Sequence, residues 1–181
     1  MILSDFDLAN VIRSGRLKID PFVQEIVREN GIDFRLAPQV GRHNTKMGDS
    51  FVMNPSDEQM IKTAYRIEDD VEQIIIGAKE QVLLSTLEHV TLPDDLVGMV
   101  ELRSTWARHG LSMPPTIIDA GFSGTVTLEV INNAPYKIGI KPHTRFAHII
   151  FVKTSSVVEK SYSKGSYTGQ RGVRLPKPLK D

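Results

Sequence analysis

One carboxylate, Glu129, lies in the segment DAGFSGTVTLEVIN, where apolar and polar residues alternate. This alternation is typical of a β-strand, and it places Val126, Leu128 and Val130 on one face and Glu129 on the other, among threonines. A carboxylate can transfer protons in catalysis, but at such a position it is more often a solvated residue of the outer face. The pattern alone therefore leaves both interpretations of Glu129 open.

A second candidate lies in the segment ELRSTWARHGL, where Arg103 and Arg108 flank Ser104 and Thr105. The segment has the length of a single helical turn. Free backbone N–H groups at the start of a helix, together with guanidinium groups, favour an anion such as phosphate. The alternative is that both arginines are solvated and that Ser104 only caps the turn.

Composition excludes several classes of function. The 22 Lys and Arg residues balance 22 Asp and Glu residues, so the bulk charge does not favour nucleic acid or an anionic membrane as a partner. The chain has no cysteine, which excludes disulfides, thiol nucleophiles and the cysteine ligands of a zinc deaminase. Common signatures of nucleotide-triphosphate, dinucleotide, metalloprotease and serine-hydrolase sites are absent. No metal-ligand spacing connects the histidines, which are His43, His89, His109, His143 and His148.

Length and hydropathy favour one soluble domain. The 181 residues can bury one core but are short for two domains. The N-terminus lacks the basic and apolar regions of a signal peptide, and the runs IIIGA and HIIFV are far shorter than the roughly 18 residues of a membrane span. We therefore expect a cytoplasmic protein with no membrane partner.

Local patterns predict short elements, most of them strands. Ser4 and Asp7, followed by Leu8, predict an N-capped helix that stops at Gly15. Alternating residues predict a strand around 32–36, whereas the polar stretch 41–70 predicts no element. Residues 72–93 predict two short strands with a turn near position 77. Further strands are expected within 92–102, 124–132, 136–142 and 144–154.

The spacing of these strands predicts the fold class. Many short strands at intervals of roughly 8 to 12 residues are typical of an all-β domain, either a jelly roll or a barrel. The last twenty residues are rich in Gly, Ser, Lys and Pro, and they predict a mobile tail that adds little to the core.

Five segments, taken in order, resemble the dCTP deaminase family in its archaeal form, within the trimeric dUTPase superfamily. They are MILSDFDL with the later PF, NGIDFRL, RSTWARHGL, IDAGFSGTVTLEV and GSYTGQRGV, and together they span nearly the whole chain. The resemblance implies an all-β, distorted jelly roll or β-barrel over residues 1–160, assembled as a homotrimer with active sites between subunits. It also implies a mobile tail, 161–181, that closes over a bound nucleotide.

The activity that the resemblance implies is the deamination of dCTP to dUTP and ammonia, with Mg²⁺ bound through the triphosphate and without zinc. Glu129 would be the general acid and base, Ser104 would help to hold the attacking water, and Arg108 would stabilise charge. Asp119 would accept from the sugar hydroxyl, although a turn contact would also explain it. The implied substrate-binding residues are Arg103, Ser104, Thr105, Trp106, Ala107, Arg108, Asp119, Thr127, Leu128, Glu129, Tyr162, Lys164 and Gln170.

Other functions on the same fold stay open. A bifunctional enzyme that continues to dUMP, or a dUTP pyrophosphatase, would use Asp119 to help activate water at phosphorus. A non-catalytic nucleotide-binding trimer would need phosphate contacts but no proton-transferring Glu129. Pro114 and Pro115 stiffen the preceding loop, and Ile117 stands where bifunctional relatives have a small residue, so we expect dUTP to accumulate.

The tail departs from the family pattern at two positions. Ser166 stands where relatives commonly have a lysine, and the nearest lysine is Lys164, two positions earlier. Arg171 stands where a second glutamine is usual, and it could replace the lost cation.

Overall fold

The computed structural model describes residues 1–48 and 50–179, and its secondary structure is mainly β. The strands are β1 (Lys18–Asp20), β2 (Val27–Arg28), β3 (Gly31–His43), β4 (Tyr65–Glu68), β5 (Ile74–Ile76), β6 (Gln81–Thr86), β7 (His89–Thr91), β8 (Leu96–Leu102), β9 (Leu111–Ser112), β10 (Thr116–Ile118), β11 (Ser123–Gly124), β12 (Thr127–Asn132), β13 (Ile138–Ile140) and β14 (Arg145–Lys153). The helices are α1 (Asp5–Arg13), α2 (Glu58–Ala64) and α3 (Ser104–Arg108), with 3₁₀ turns at Gln24–Ile26, Thr45–Met47 and Tyr162–Lys164. The predicted all-β fold class is confirmed. Within the described residues, every helix is too short or too polar to cross a membrane.

Strand β3 connects the two halves of the main sheet, whose order is β10-β8-β14-β3-β6-β12-β9. Its first part, over 32–35, pairs with β14, and its second part, over 36–42, pairs with β6. The register shifts between these parts around Pro38, which has no N–H to give to a ladder. Strands β2 and β4 also pair with β3, outside this order, and two smaller sheets, β1-β7-β11 and β5-β13, contain the remaining described strands.

The core forms where strands bury alternate side chains. In β12, Leu128 and Val130 are fully buried, whereas Thr127 and Glu129 are only partly buried. The predicted division of this strand into two faces is therefore confirmed. The largest fully buried side chains are Leu8, Leu17, Ile26, Ile32, Phe34, Leu36, Ile74, Ile76, Leu84, Leu128, Phe146 and Phe151.

Helix α1 begins and ends as the sequence predicts. The Ser4 hydroxyl accepts the backbone N–H of Asp7, and the Asp7 carboxylate accepts the N–H of Ser4, which together form a capping box. Leu8 is fully buried under the helix. The chain leaves the helix through Gly15, whose φ of 72° is in the left-handed region that favours glycine.

The prediction of two strands within residues 72–93 was wrong, because the structure has three, β5, β6 and β7. The residues between β6 and β7 are held in place by two contacts with Arg35 of β3. The backbone N–H of Leu87 donates to the carbonyl of Arg35 at 2.7 Å, and the buried Glu88 carboxylate accepts from Arg35 Nε at 2.6 Å. Local periodicity does not reveal such a contact with a distant strand.

The single strand predicted over residues 124–132 is also interrupted, since β11 ends at Gly124 and β12 begins at Thr127. The two residues between them bond elsewhere. Thr125 N–H donates to the carbonyl of Gln170 at 3.1 Å, and Val126 N–H donates to the Thr86 hydroxyl at 2.8 Å. The tail thus replaces a neighbouring strand at this point.

Two elements lie in the stretch 41–70, where the sequence predicted none. Helix α2 follows Asp57, whose carboxylate accepts the backbone N–H groups of Gln59 and Met60, and it buries Ile61 and Ala64. Strand β4 comes directly after it and pairs with the second part of β3. This segment becomes ordered by packing on β3, which its own polar sequence does not indicate.

The C-terminal segment packs against the strands of its own chain. Gln170 and Val173 are buried, so the tail adds more to the interior than its composition predicts. Val173 N–H donates to the Gln39 side chain. The Val173 side chain also packs closely over Gly41 of β3, because any larger residue at position 41 would place its Cβ only 3.0 Å from Val173 Cγ1. Mobility of the tail, and a domain boundary at residue 160, stay predictions.

Candidate active site

Glu129 faces a cavity of about 350 Å³ whose walls include β10, β12 and the C-terminal tail. Five predicted site residues meet there: Asp119, Thr127, Glu129, Tyr162 and Gln170. The full lining consists of Tyr65, Gln81, Leu83, Thr116, Ile117, Ile118, Asp119, Phe122, Val126, Thr127, Glu129, Tyr162, Tyr167, Gln170, Arg174, Leu175 and Pro176. We call this space the carboxylate cavity.

The strand register fixes the direction of Glu129. It pairs with Leu83 of β6, and the neighbouring side chains Leu128 and Val130 are fully buried on the opposite face. A slip of one residue would expose both apolar side chains and bury the carboxylate in the core. Burial of β12 therefore holds Glu129 at the cavity wall.

The environment of Glu129 favours its protonated form. Burial raises the pKa of the Glu129 carboxyl, and a hydrogen bond from its own backbone N–H opposes the increase in pKa. Among the described residues Glu129 forms no ion pair, and the lining residue of the cavity that carries a positive charge is Arg174. A carboxyl group whose pKa is raised holds a proton more readily than an ordinary carboxylate, and this favours a group that must both accept and supply protons in acid–base catalysis.

The edge of β12 beside Glu129 is open. Strand β6 pairs with one side over 127–131, whereas β9 pairs with the other side only at Ile131 and Asn132. In an antiparallel strand, alternate residues direct their N–H and C=O groups away from a given partner. Residues 127–130 therefore present backbone donors and acceptors that a ligand can use. Leu128, whose side chain is buried, can contribute only through its backbone.

The tail closes one side of the carboxylate cavity. Tyr162 N–H donates to the carbonyl of Ala120 at 2.9 Å, and its ring lies 6.1 Å from that of Phe122. Gln170 Nε2 donates to the carbonyl of Thr125 at 2.6 Å, while its buried Oε1 has no hydrogen-bond partner among the described residues. The sequence thus identified two tail residues that reach the cavity.

Two tail cations lie outside both cavities, so their predicted contact with phosphate stays a prediction. Lys164 and Arg171 are exposed and line neither this cavity nor the one described below. Arg174, which the sequence analysis did not single out, lines the carboxylate cavity instead, and its backbone N–H donates to the Thr127 hydroxyl at 3.1 Å. The position of a tail cation depends on how the tail packs, which spacing does not show.

Asp119 directly follows the short strand β10 and reaches the same cavity with an exposed side chain. The following turn is closed by the backbone, since Phe122 N–H donates to the Asp119 carbonyl at 3.1 Å, and Gly121 has a φ of 83°. The turn thus does not require the Asp119 carboxylate, which leaves this group available to a ligand.

Three residues of the predicted phosphate-binding segment line a different cavity, of about 310 Å³, which we call the arginine cavity. They are Arg103, Ser104 and Thr105. The complete lining is Arg28, Glu29, Asp33, Glu101, Leu102, Arg103, Ser104, Thr105 and His148. The two cavities share no lining residue, so one chain does not bring Ser104 to Glu129.

Of the other residues of α3, Trp106 packs against β14, whereas Ala107 and Arg108 are exposed. Trp106 Nε1 donates to the carbonyl of Arg145 at 3.0 Å, and its ring lies 5.7 Å from that of Phe146, so the indole anchors the helix to β14. Ala107 and Arg108 are exposed and line neither cavity. Arg108 is therefore accessible to a second molecule.

Several lining residues were not singled out as site residues in the sequence, although Tyr167 lies within the GSYTGQRGV segment. Tyr65 follows α2, and burial raises the pKa of its hydroxyl, so this group stays protonated and can donate a hydrogen bond. Gln81 and Tyr167 complete the polar part of the wall. Only the pairing of β4 and β6 with β3, and the path of the tail, bring these three residues to Glu129.

Comparisons with known proteins agree with one another. The family model described as dCTP deaminase-like matches residues 2–154. A dCTP deaminase from Hyperthermus butylicus is 43% identical over 178 residues, which cover 98% of this chain and 99% of that protein. A dCTP deaminase from Pyrobaculum arsenaticum is 43% identical over 180 residues, which cover 99% of this chain and 98% of that protein.

A solved structure shows the same fold. The crystal structure of 2′-deoxycytidine 5′-triphosphate deaminase from Agrobacterium tumefaciens matches with a TM-score of 0.65 at 19% sequence identity. The match covers 83% of this chain but only 46% of that chain, so this chain spans about half the length of the solved protein.

The raised pKa of Glu129 predicts a pH-dependent change in stability. Because burial favours the protonated carboxyl in the folded state, the native chain should lose stability relative to Glu129→Gln as pH rises from about 4, near the usual glutamate pKa, to about 7. Thermal unfolding of both proteins at each pH checks this. A difference between their melting temperatures that does not change with pH would contradict the raised pKa.

Proposed function

The chain belongs to the dCTP deaminase-like family, and on that premise we propose that it hydrolyses dCTP to dUTP and ammonia. One observation supports the assignment of proton transfer to Glu129. Glu129 is a carboxyl group whose pKa is raised by burial, and it lies in the wall of a cavity beside an open strand edge. This combination suits proton transfer to and from a bound ring.

The reaction needs several proton transfers that one carboxylate can perform. Glu129 removes a proton from water as the oxygen attacks C4 of cytosine, and then supplies protons to N3 and to the departing amino group. The C4–N bond breaks, a C4 carbonyl forms, and ammonia leaves. Burial raises the pKa of the Glu129 carboxyl, so the group holds a proton more readily than an ordinary glutamate and is better suited to act as an acid as well as a base.

The open edge of β12 supports recognition of the base. A pyrimidine that lies beside residues 127–129 would meet unpaired backbone N–H and C=O groups, which can distinguish donors from acceptors on the ring. Asp119, whose carboxylate is exposed in the same cavity, would accept from the sugar hydroxyl. Tyr162 and Gln170 would cover the nucleotide from the tail.

The triphosphate requires more positive charge than the carboxylate cavity contains. Arg174 is the one Lys or Arg among the described residues that line it. Further donors lie on α3 and around it, namely Arg103, Ser104, Thr105 and Arg108. We therefore infer that α3 of one subunit completes the carboxylate cavity of another, so that Ser104 and Arg108 reach the site of Glu129. The resemblance to the trimeric dUTPase superfamily implies that this assembly is a homotrimer.

Magnesium fits this arrangement as a partner of the substrate. The described residues contain no group of three or more His, Cys, Asp or Glu side chains that could hold a metal ion. Mg²⁺ would instead bind the phosphate oxygens, where it neutralises charge on the nucleotide. The absence of cysteine makes a catalytic zinc of the deaminase type incompatible with the sequence. Cytoplasmic location stays a prediction.

Glu129→Gln tests the catalytic assignment. Loss of the only proton-transferring carboxylate should reduce kcat for dCTP on the order of 10²–10⁴-fold, while nucleotide affinity is largely kept because the amide has nearly the same shape. Ammonia release and nucleotide binding are measured in parallel. Glu72→Gln, at an exposed glutamate that lines neither cavity, is the matched control and should keep full activity. Near-normal turnover by Glu129→Gln would refute the mechanism.

Removal of residues 161–181 tests the role of the tail. The main hydrophobic cluster is built from residues between Leu3 and Phe151, so the shortened chain should still fold, with a lower melting temperature because Gln170 and Val173 are lost from the interior. Activity at low dCTP concentration should fall at least tenfold, because the cavity loses one wall. Circular dichroism and kinetics check this, and unchanged kinetics would show that the tail does not cover the nucleotide.

The product distinguishes a deaminase from a bifunctional enzyme. Pro114 and Pro115 precede β10, and the Ile117 side chain is 53% exposed and lines the carboxylate cavity. A bulky residue on a strand that follows a stiff loop leaves less room for a water in line with the α-phosphorus, so dUTP should accumulate. Ion-exchange chromatography over time measures this. Release of dUMP and pyrophosphate without free dUTP would instead identify a bifunctional enzyme.

A further inference from the structure

A buried carboxylate, Asp33, lies in the wall of the arginine cavity, and the deamination mechanism does not use it. Its side chain is only 3% exposed. It sits on β3 opposite His148 of β14, and His148 is in turn opposite Glu101 of β8. The two pairings place Asp33 and Glu101 on either side of His148, beside the start of α3.

The contacts of Asp33 come from three side chains. Oδ1 lies 2.9 Å from His148 Nδ1, and Oδ2 lies 3.1 Å from Arg103 Nε and 3.6 Å from Arg145 Nη1. Within the described residues, Oδ2 has these ion pairs but no well-aligned hydrogen bond. One oxygen is therefore fixed by the imidazole, and the other attracts guanidinium groups at the cavity.

These contacts restrict the guanidinium group of Arg103. Nε faces Asp33, and Nη1 donates to the carbonyl of Arg145 at 3.3 Å. The remaining donors, on Nη2, have no partner among the described residues, and the side chain lines the same cavity as Ser104 and Thr105. A planar guanidinium that is held on two of its nitrogens presents the third in a fixed direction.

We propose that Asp33 is a positioning residue, which holds Arg103 so that its free N–H groups meet the phosphate chain of the nucleotide. The proposal rests on the proposed role of the arginine cavity in phosphate binding. A buried ion pair contributes little net stability, because removing both charges from water offsets their attraction. The pair can instead favour binding. Because Asp33 already restricts the Arg103 side chain, less conformational entropy is lost when the anion binds, and the affinity is higher.

The experiment compares Asp33→Asn with the native chain, using inorganic tripolyphosphate as the probe. Titration calorimetry measures its affinity without any need for deamination, so failure of the proposed reaction and failure of this proposal give different results. Asp33→Asn should weaken tripolyphosphate binding about tenfold or more. With dCTP, the KM should rise by a similar factor with little change in kcat, because Glu129 is unaffected.

A double-mutant cycle separates positioning from general loss of stability. In an Arg103→Ala background, Asp33→Asn should cause no further loss of tripolyphosphate affinity. Asp95→Asn is the matched control, because Asp95 also pairs with an arginine, at 2.6 Å from Arg16 Nη2, but lines neither cavity. This control should bind tripolyphosphate as the native chain does.

A second variant keeps the test decisive if Asp33→Asn fails to fold. Arg103→Lys retains the charge and leaves Asp33 intact, but it removes the planar group that Asp33 holds. It should lose most of the affinity that Arg103→Ala loses. Affinity within twofold of the native value for Arg103→Lys, or for a folded Asp33→Asn, would overturn the proposal, as would equal losses from Asp33→Asn with and without Arg103.

Discussion

The removal of one carboxylate from water is the constraint on which the rest of the site depends. Burial raises the pKa of Glu129, and burial is maintained by the core packing of Leu128 and Val130 beneath β12 and by the tail above the cavity. A cation beside the carboxylate would favour ionisation and lower that pKa. Among the described residues Glu129 forms no ion pair, so burial is the largest influence on its pKa.

The same chain separates proton chemistry from anion binding. Its carboxylate cavity carries one lining cation, Arg174, while Arg103 lies in a second cavity that shares no residue with the first. In that second cavity, Asp33 opposes the positive charge and restricts the guanidinium. In the proposed function a triphosphate substrate needs both sets of residues together, and assembly of subunits would bring them to one site. Assembly would thus complete the catalytic site as well as bury surface.

Local patterns were sufficient for features that depend on neighbouring residues. The capping box of Ser4 and Asp7 and the two faces of β12 followed from spacing alone. Features that depend on pairing between distant segments could not be predicted from spacing. Asp33 and Arg103 meet only because β14 lies between β3 and β8, and the tail interrupts the strand before Thr127 by bonding to Thr125. Sequence spacing contains neither the strand order nor the path of the tail.

Mixing two impaired variants tests the shared site most directly. Glu129→Gln lacks the carboxylate, and Arg103→Ala lacks a phosphate-binding side chain of α3. If each site combines these residues from two subunits, equal amounts unfolded and refolded together should form mixed trimers with about a quarter of the native sites intact. At a dCTP concentration well below the KM of Arg103→Ala, the mixture should then recover roughly that share of dCTP deamination, whereas each variant alone has little activity there. No recovery from mixed trimers whose formation is verified by mass would contradict a site shared between subunits.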